Sequence, residues 1–236
     1  MSFSAPMAHF YDLLNDGANY TAERDLVVSQ LPDGAVRGLD LGCGTGSLVL
    51  LLSEDYEMTG VDLSEEMLSA ADEKAFSAHR RARFVCQDIT HLSLGQTYDF
   101  CVCFHDTLNY VLKTEGLSCV FSRVFDHLND GGVFLFDLSR KERFETEYAA
   151  NCEVLERDGL FCVWEREYHK ERGLCDFAFH FFEECSDGRY ERSAEYERQR
   201  VYSPRTVERL CAQAGFEVQR VAQNETHLIY SAKKRG

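Results

Sequence analysis

Short apolar runs alternate with helical stretches through the first half of the chain. Val36–Leu41, Glu57–Val61, Ala82–Cys86, Tyr98–Phe104 and Gly132–Leu138 are brief, mostly apolar and flanked by turn residues, which predicts five strands. Thr45–Ser53, Glu65–Ser77 and Thr114–Leu128 carry helical spacing between them. Ala8–Leu14 and Thr21–Leu31 predict two further helices ahead of the first strand, joined by the loop Asn15–Asn19. Ser64 stands before Glu65 and Glu66, so it is placed to cap a helix whose first turn favours acidic side chains. Strand and helix in regular alternation indicate a parallel α/β sheet.

The rhythm changes after Leu138. Cys152–Arg157, Leu160–Lys170, Leu174–Cys185 and Arg189–Tyr202 are strand-like, and Asp158-Gly159, Arg172-Gly173 and Asp187-Gly188 separate them as hairpin turns do. An antiparallel β insertion over residues 151–202 is the expectation. Ser203 and Pro204 then open a helix, Gly215 closes it, and Phe216–Val221 and Thr226–Ala232 complete the sheet. No repeat or low-complexity linker interrupts the sequence, so residues 1–236 are expected to form one domain containing the insertion.

Composition narrows the function classes. No apolar run reaches the roughly 18 residues of a membrane span, and Met1–Pro6 lacks the basic and apolar regions of a signal peptide, so a cytoplasmic protein without membrane partners is expected. Ten cysteines are scattered without zinc spacing, which points to reduced thiols used as small apolar residues and to no metal. The formal net charge of −15, with no block of Lys or Arg beyond Arg80–Arg83, argues against a nucleic-acid partner and weakly favours a cationic or amine substrate.

The candidate chemistry begins at Leu39-Asp40-Leu41-Gly42-Cys43-Gly44-Thr45-Gly46, which follows the first strand and opens a helix. Glycines at alternate positions let backbone turn sharply and approach a ligand that a Cβ would obstruct, and the helix start adds free amide groups. Ser47 follows Gly46, so the third glycine comes one residue too early for a dinucleotide fingerprint. Asp62 ends the second strand at the distance suited to accepting both hydroxyls of a ribose, and Asp88 ends the third, where it can accept the amine of adenine. A turn residue or helix cap is the plainer role for either aspartate. Their occurrence at successive strand ends favours a cofactor.

Leu39–Gly46, the segment Gly60–Leu68 (Gly-Val-Asp-Leu-Ser-Glu-Glu-Met-Leu) and Gln87-Asp88-Ile89 together resemble the motifs of class I S-adenosylmethionine-dependent methyltransferases. The resemblance runs from about residue 8 to the end. It implies a Rossmann-like seven-stranded sheet of order 3-2-1-4-5-7-6 with strand 7 antiparallel. It also implies cofactor contacts from Tyr11, Tyr20, Asp40, Gly42, Cys43, Gly44, Gly46, Asp62, Leu63, Met67, Asp88, Ile89, Phe104 and His105. Phe104–Tyr110 and Gly131–Asp137 are similar to small-molecule methyltransferases with a β insertion, among them sugar-amine N,N-dimethyltransferases. One departure stands out: Phe104-His105 replaces the usual small or acidic residue after the fourth strand, so contacts at the sulfonium are expected to differ.

Methyl transfer from an activated sulfonium needs positioning and exclusion of water more than it needs a base. His105, after the fourth strand, is the candidate for acceptor contact or proton removal, against the plain alternative of a packed histidine. Tyr11 and Tyr20 flank the first loop as lid aromatics or as ordinary half-buried tyrosines. The insertion aromatics Phe161, Trp164, Tyr168, Phe177, Phe179, Phe181 and Phe182 are expected mostly as core or a homodimer interface, with a minority lining the acceptor pocket. The sequence Phe104-His105-Asp106-Thr107 is not the Asn-Pro-Pro-Tyr of adenine- or glutamine-directed enzymes. A small-molecule acceptor, nitrogen before oxygen, is the expected substrate. An RNA or protein acceptor, and a regulatory module that binds the cofactor without catalysis, are the alternatives.

Overall fold

A computed structural model describes residues 3, 5–15, 18–146, 152–157 and 159–235. Asp16 and Gly17 of the first loop, Asp158 of the first hairpin turn and the start of the insertion at residue 151 lie outside the described residues. Helices α1 (Ala5–Leu14) and α2 (Tyr20–Gln30) precede β1 (Arg37–Leu41), α3 (Ser47–Leu52), β2 (Glu57–Asp62), α4 (Glu65–Ser77) and β3 (Arg83–Cys86). Then come β4 (Tyr98–Cys103), α5 (Thr114–His127), β5 (Leu128–Ser139) and α6 (Lys141–Thr146). The remainder is β6 (Cys152–Arg157), β7 (Leu160–His169), β8 (Leu174–Glu184), β9 (Tyr190–Arg200), α7 (Pro204–Ala214), β10 (Phe216–Gln223) and β11 (His227–Lys234).

Seven strands form one sheet in the order β10-β11-β5-β4-β1-β2-β3. The pairs β1–β2, β2–β3, β1–β4 and β4–β5 are parallel, while β11 runs antiparallel to both β5 and β10. This is the order 3-2-1-4-5-7-6 that the resemblance implies. Side chains alternate across the sheet as the pleat requires. Cys101 and Cys103 of β4 join Phe121 of α5 and Leu210 of α7 on one face. Phe100 and Val102 join Val27 of α2 and Leu48, Val49 and Leu52 of α3 on the other. The sheet is therefore buried on both sides, which is why its strands are nearly continuous in apolar character.

Local signals place the helix ends. The Ser64 hydroxyl accepts from the Met67 amide at 3.1 Å, with Glu65 and Glu66 in the first turn of α4. Ser203 accepts from the Thr206 amide at 3.2 Å, and Gly215 takes φ +104° just past α7. Strand β5 begins at Leu128 instead of Gly132 because Leu128 pairs with Tyr98 across a register shift. Helix α6 was not expected from sequence, since six residues are too few to display a period. All ten cysteines are free thiols; Cys101, Cys103, Cys162, Cys175 and Cys211 are buried, whereas Cys86, Cys119 and Cys152 are exposed.

The insertion is a four-stranded antiparallel sheet, β6-β7-β8-β9. Its inner face rests on α1 through Leu160, Cys162 and Phe181, packed with Met7, Ala8, Phe10 and the fully buried Met67 of α4. Phe144 of α6 seals a second contact with Cys175 and Phe177. Among the described residues no helix is long and apolar enough to cross a membrane.

Phe121 is wholly buried between Phe134 and Phe136, with ring centroids 6.2 and 5.5 Å away. Truncation there leaves a cavity under the sheet. Phe121→Ala is expected to lower stability by about 3–5 kcal/mol in denaturant unfolding.

Candidate active site

Two cavities meet at the C-terminal edge of the parallel strands. The smaller, about 380 Å³, is lined by Gly42, Gly44, Asp62, Leu63, Asp88 and Ile89, with Tyr11 and His105 at its border. The larger, about 480 Å³, is bounded by Glu23, Asp106, Asp137, Arg143, Trp164, Phe179, Glu197, Gln199 and His227. Phe3, Tyr11, His105, Tyr110 and Glu197 line both and form the rim between them.

The glycine loop is held from below. The Gly42 and Cys43 amides donate to the Val61 carbonyl at 2.7 and 3.1 Å, which ties the loop to β2. The buried Asp62 carboxylate accepts from the Gly44 amide through Oδ2 and the Ser64 amide through Oδ1, both at 2.9 Å. The three glycines serve different ends. A Cβ at Gly42 would collide with Thr107, and one at Gly46 would lie 3.0 Å from Ala71 Cβ and 3.2 Å from the Phe84 ring, so these two are demanded by the protein's own packing. A Cβ at Gly44 meets only the Tyr11 ring at 3.7 Å, so here the open space belongs to the cavity. Gly44 also sits at φ +52°.

The expected residues are not all brought together. Asp40, Cys43 and Tyr20 line a narrow crevice behind the loop with Phe104 and His105. Burial pushes the Asp40 carboxyl up to about 8 against the pull of His105. Asp88 accepts from the Thr90 amide at 2.8 Å through Oδ1, the helix-cap role, while still lining the smaller cavity. Met67, expected as a cofactor contact, lines neither cavity; its apolar side chain is spent joining α4 to α1 and the insertion. Gly46 likewise lies away from both.

His105 and Asp106 both hold left-handed backbone, φ +59° and +63°. Their amides donate to the Asp137 carboxylate at 2.9 and 3.2 Å. The Asp106 carboxylate meets Arg143 at 2.8 Å, His227 at 2.9 Å and the Ser139 hydroxyl at 2.5 Å. Burial alone would raise it, but these partners hold it below the ordinary carboxylate range. Next along, the Tyr110 hydroxyl donates to Glu197 Oε2 at 2.6 Å.

His105 Nε2 lies 3.0 Å from Glu23 Oε2, and its ring centroid is 5.3 Å from that of Tyr20. Burial pulls the imidazole down, yet Glu23, Asp137 and Asp106 together push it up to about 9. At neutral pH it is therefore an imidazolium, which can donate a hydrogen bond but cannot take a proton. Of the two roles expected of His105, acceptor contact and proton removal, the charged form suits the first.

Sequence reading assigned no role to Glu23, Asp106, Tyr110, Asp137, Arg143, Glu197, Gln199 or His227. One signal was available on β9, where Glu195, Glu197 and Gln199 alternate with Tyr196 and Arg198, a period of two with polar residues on the inner face.

The fold and the loop together define the Rossmann-like methyltransferase architecture. Residues 39–132 match the methyltransferase domain model. A relative from Geobacillus sp. (strain WCH70) bearing the name putative methyltransferase is 32% identical over 224 residues, 93% of this chain and 91% of the relative. An S-adenosylmethionine-dependent methyltransferase structure from Clostridium acetobutylicum ATCC 824 superposes with a TM-score of 0.86 at 28% identity, covering 98% of both chains. The dTDP-3-amino-3,4,6-trideoxy-alpha-D-glucopyranose N,N-dimethyltransferase of Streptomyces venezuelae is 28% identical over 64% of this chain and 65% of its own. The chain belongs to the S-adenosylmethionine-dependent methyltransferases.

The His105 shift makes stability depend on pH. A histidine raised from 6.5 to about 9 contributes stability that is complete below pH 6.5 and is lost as pH rises through about 9. Glu23→Gln removes the hydrogen-bonded charge. The difference in unfolding free energy between the wild type and this variant is expected to shrink across pH 6.5–9; a constant difference would contradict the pairing.

Proposed function

We propose that the protein transfers the methyl group of S-adenosylmethionine to the nitrogen of a small-molecule amine. The observation that carries this reading is the pair of cavities joined at Tyr11, His105, Tyr110 and Glu197. The smaller suits the cofactor. Gly44 leaves its Cβ space open to the ligand, Asp62 keeps lone pairs for ribose hydroxyls beyond those the two amides use, and Asp88 keeps Oδ2 for the adenine amine. Leu63, Ile89 and Tyr11 supply apolar cover for the nucleoside. When bound, the cofactor supplies a methyl group on positively charged sulfur, a leaving group that needs no further activation. The chain's residues then have to hold the acceptor nitrogen in line and keep water out.

The larger cavity, within the usual 300–1,000 Å³ of small-ligand sites, supports a small acceptor. Among the described carboxyl groups of this cavity, Glu23 and Asp106 are paired with cations and Asp137 with two backbone amides, which leaves Glu197 to favour an amine over a neutral alcohol. The amino-sugar activity named for the Streptomyces venezuelae relative agrees with nitrogen as the acceptor. The insertion contributes Leu155, Trp164, Phe179, Glu197 and Gln199 to this wall, which supports a roof over the acceptor in preference to a dimer surface. The net charge of −15 opposes an RNA acceptor. The proposed setting is the cytoplasm.

Gly44→Val fills the space reserved for the ligand. Calorimetry is expected to show S-adenosylmethionine affinity falling at least about tenfold, or 1.4 kcal/mol, while circular dichroism stays unchanged. Normal affinity would place the cofactor elsewhere.

Formation of S-adenosylhomocysteine, measured with matched amines and alcohols such as 3-amino-3-deoxyglucose with glucose and cyclohexylamine with cyclohexanol, tests the acceptor. Turnover with amines is expected. Turnover confined to alcohols would overturn the nitrogen reading, and none with either would favour the regulatory alternative.

A further inference from the structure

The wall that β9 presents to the larger cavity contains two buried acceptor atoms without donors. Glu197 and Gln199 are each 4% exposed, and neither Glu197 Oε1 nor Gln199 Oε1 has a hydrogen-bond partner among the described residues. They lie two apart on one strand, so both side chains belong to the inner face. A buried oxygen left unsatisfied costs about 1–3 kcal/mol, a cost that a ligand donor would remove. The other carboxylates of this cavity are already engaged: Glu23 with His105, Asp137 with two backbone amides, and Asp106 with Arg143, His227 and Ser139.

We infer that Glu197 and Gln199 form an ammonium subsite for the acceptor, with Glu197 Oε1 taking the proton that frees the acceptor nitrogen. The inference rests on the amine reading above and gives it an address. An aliphatic amine arrives as R–NH3⁺, with no lone pair to attack carbon. One N–H bond breaks, its proton passes to Glu197 Oε1, and the bonding pair stays on nitrogen, leaving R–NH2 and a neutral carboxylic acid. Gln199 Oε1 accepts a second N–H and orients what remains. That nitrogen pair forms the new bond to the methyl carbon as the carbon–sulfur pair departs with sulfur.

The surroundings suit a base matched to an amine. The Tyr110 hydroxyl donates to Oε2, which occupies that oxygen and leaves Oε1 as the proton acceptor. Burial raises the Glu197 carboxyl to about 8, with Tyr110 acting in the opposite direction, so the carboxylate form that takes the proton grows in as pH rises through that value, and its conjugate acid approaches the strength of an ammonium ion. Glu197 also stands on the rim shared with the cofactor cavity, where an acceptor nitrogen must be to meet the methyl group.

The only tryptophan in the sequence, Trp164, lines the same cavity and serves as an internal reporter. Cyclohexylamine and cyclohexanol are titrated into protein saturated with S-adenosylhomocysteine, and Trp164 fluorescence is followed. The wild type is expected to bind the amine at least about tenfold more tightly than the alcohol; in Glu197→Gln the preference should fall within about twofold. Gln199→Leu is expected to weaken amine binding three- to tenfold and leave the alcohol unaffected. S-adenosylhomocysteine affinity, measured by calorimetry, should change less than about threefold in both variants.

Turnover separates proton removal from simple binding. Aniline reaches the site unprotonated at neutral pH. Glu197→Gln is expected to slow methylation of cyclohexylamine at least about a hundredfold relative to that of aniline. Equal slowing of both amines, retained amine preference, or loss of S-adenosylhomocysteine binding would each overturn the role given to Glu197. A wild type that methylates amines but binds amine and alcohol alike overturns the subsite alone, whereas a wild type that methylates no amine overturns the parent reading as well.

Discussion

The Asp137 carboxylate holds the turn on which the site depends. His105 and Asp106 leave β4 in left-handed backbone, a conformation that costs a non-glycine residue about 1–2 kcal/mol. Both amides donate to Asp137, and hydrogen bonds to a charged acceptor contribute about 1.5–3 kcal/mol each, enough to offset the strain. The turn directs His105 toward Glu23 and begins the short helix that carries Thr107 against Gly42 and Tyr110 against Glu197. Asp106, locked by Ser139, Arg143 and His227, prevents the turn from relaxing. Strain at this point is therefore the consequence of placing three functional contacts within six residues.

The same turn separates two kinds of polar surface. On the side proposed for the cofactor, Asp62 is held by the Gly44 and Ser64 amides and Asp88 by the Thr90 amide, so both carboxylates are fixed by backbone donors. Backbone donors cost little side-chain entropy to organise, which favours one fixed ligand shape. On the acceptor side the walls are side chains from α2, α6, β7, β8, β9 and β11, joined by ion pairs and rings. Glu197 Oε1 and Gln199 Oε1 are its unsatisfied acceptors. One half is thus complete without its ligand and the other is not.

How much of this the sequence disclosed follows from how local each feature is. The glycine loop, the Ser64 cap and the Gly215 helix end act within a few residues, and each was recognised with its position correct; Asp62 ends its strand as expected, whereas Asp88 lies two residues beyond β3 as a helix cap. The sheet order came from the resemblance and the structure has it. Met67 misled because the motif around it is shared, while its own side chain points into a contact with α1 and the insertion that sequence does not display. His105 was found, yet its charge depends on Glu23, 82 residues away. Gly42, Gly44 and Gly46 looked alike in sequence; only three-dimensional neighbours show that Thr107, open cavity and Ala71 make three different demands.

That contrast explains where acceptor identity is written. The methyltransferase domain match ends at residue 132. Gly42, Gly44, Asp62, Asp88 and Ile89 all precede that point, whereas Asp137, Arg143, Trp164, Phe179, Glu197, Gln199 and His227 follow it. On the proposed reading the matched segment carries most of the cofactor side, and most of the acceptor wall lies outside it, before residue 39 as well as after residue 132. The insertion is anchored through Phe181 on α1 and Phe177 on α6, contacts separate from Glu197 and Gln199 on β9. A polar strand such as β9 is then no anomaly of β-propensity. Its Glu197 and Gln199 forgo apolar burial to meet a ligand's donors, and a relative with a neutral acceptor has physical reason to place other residues there.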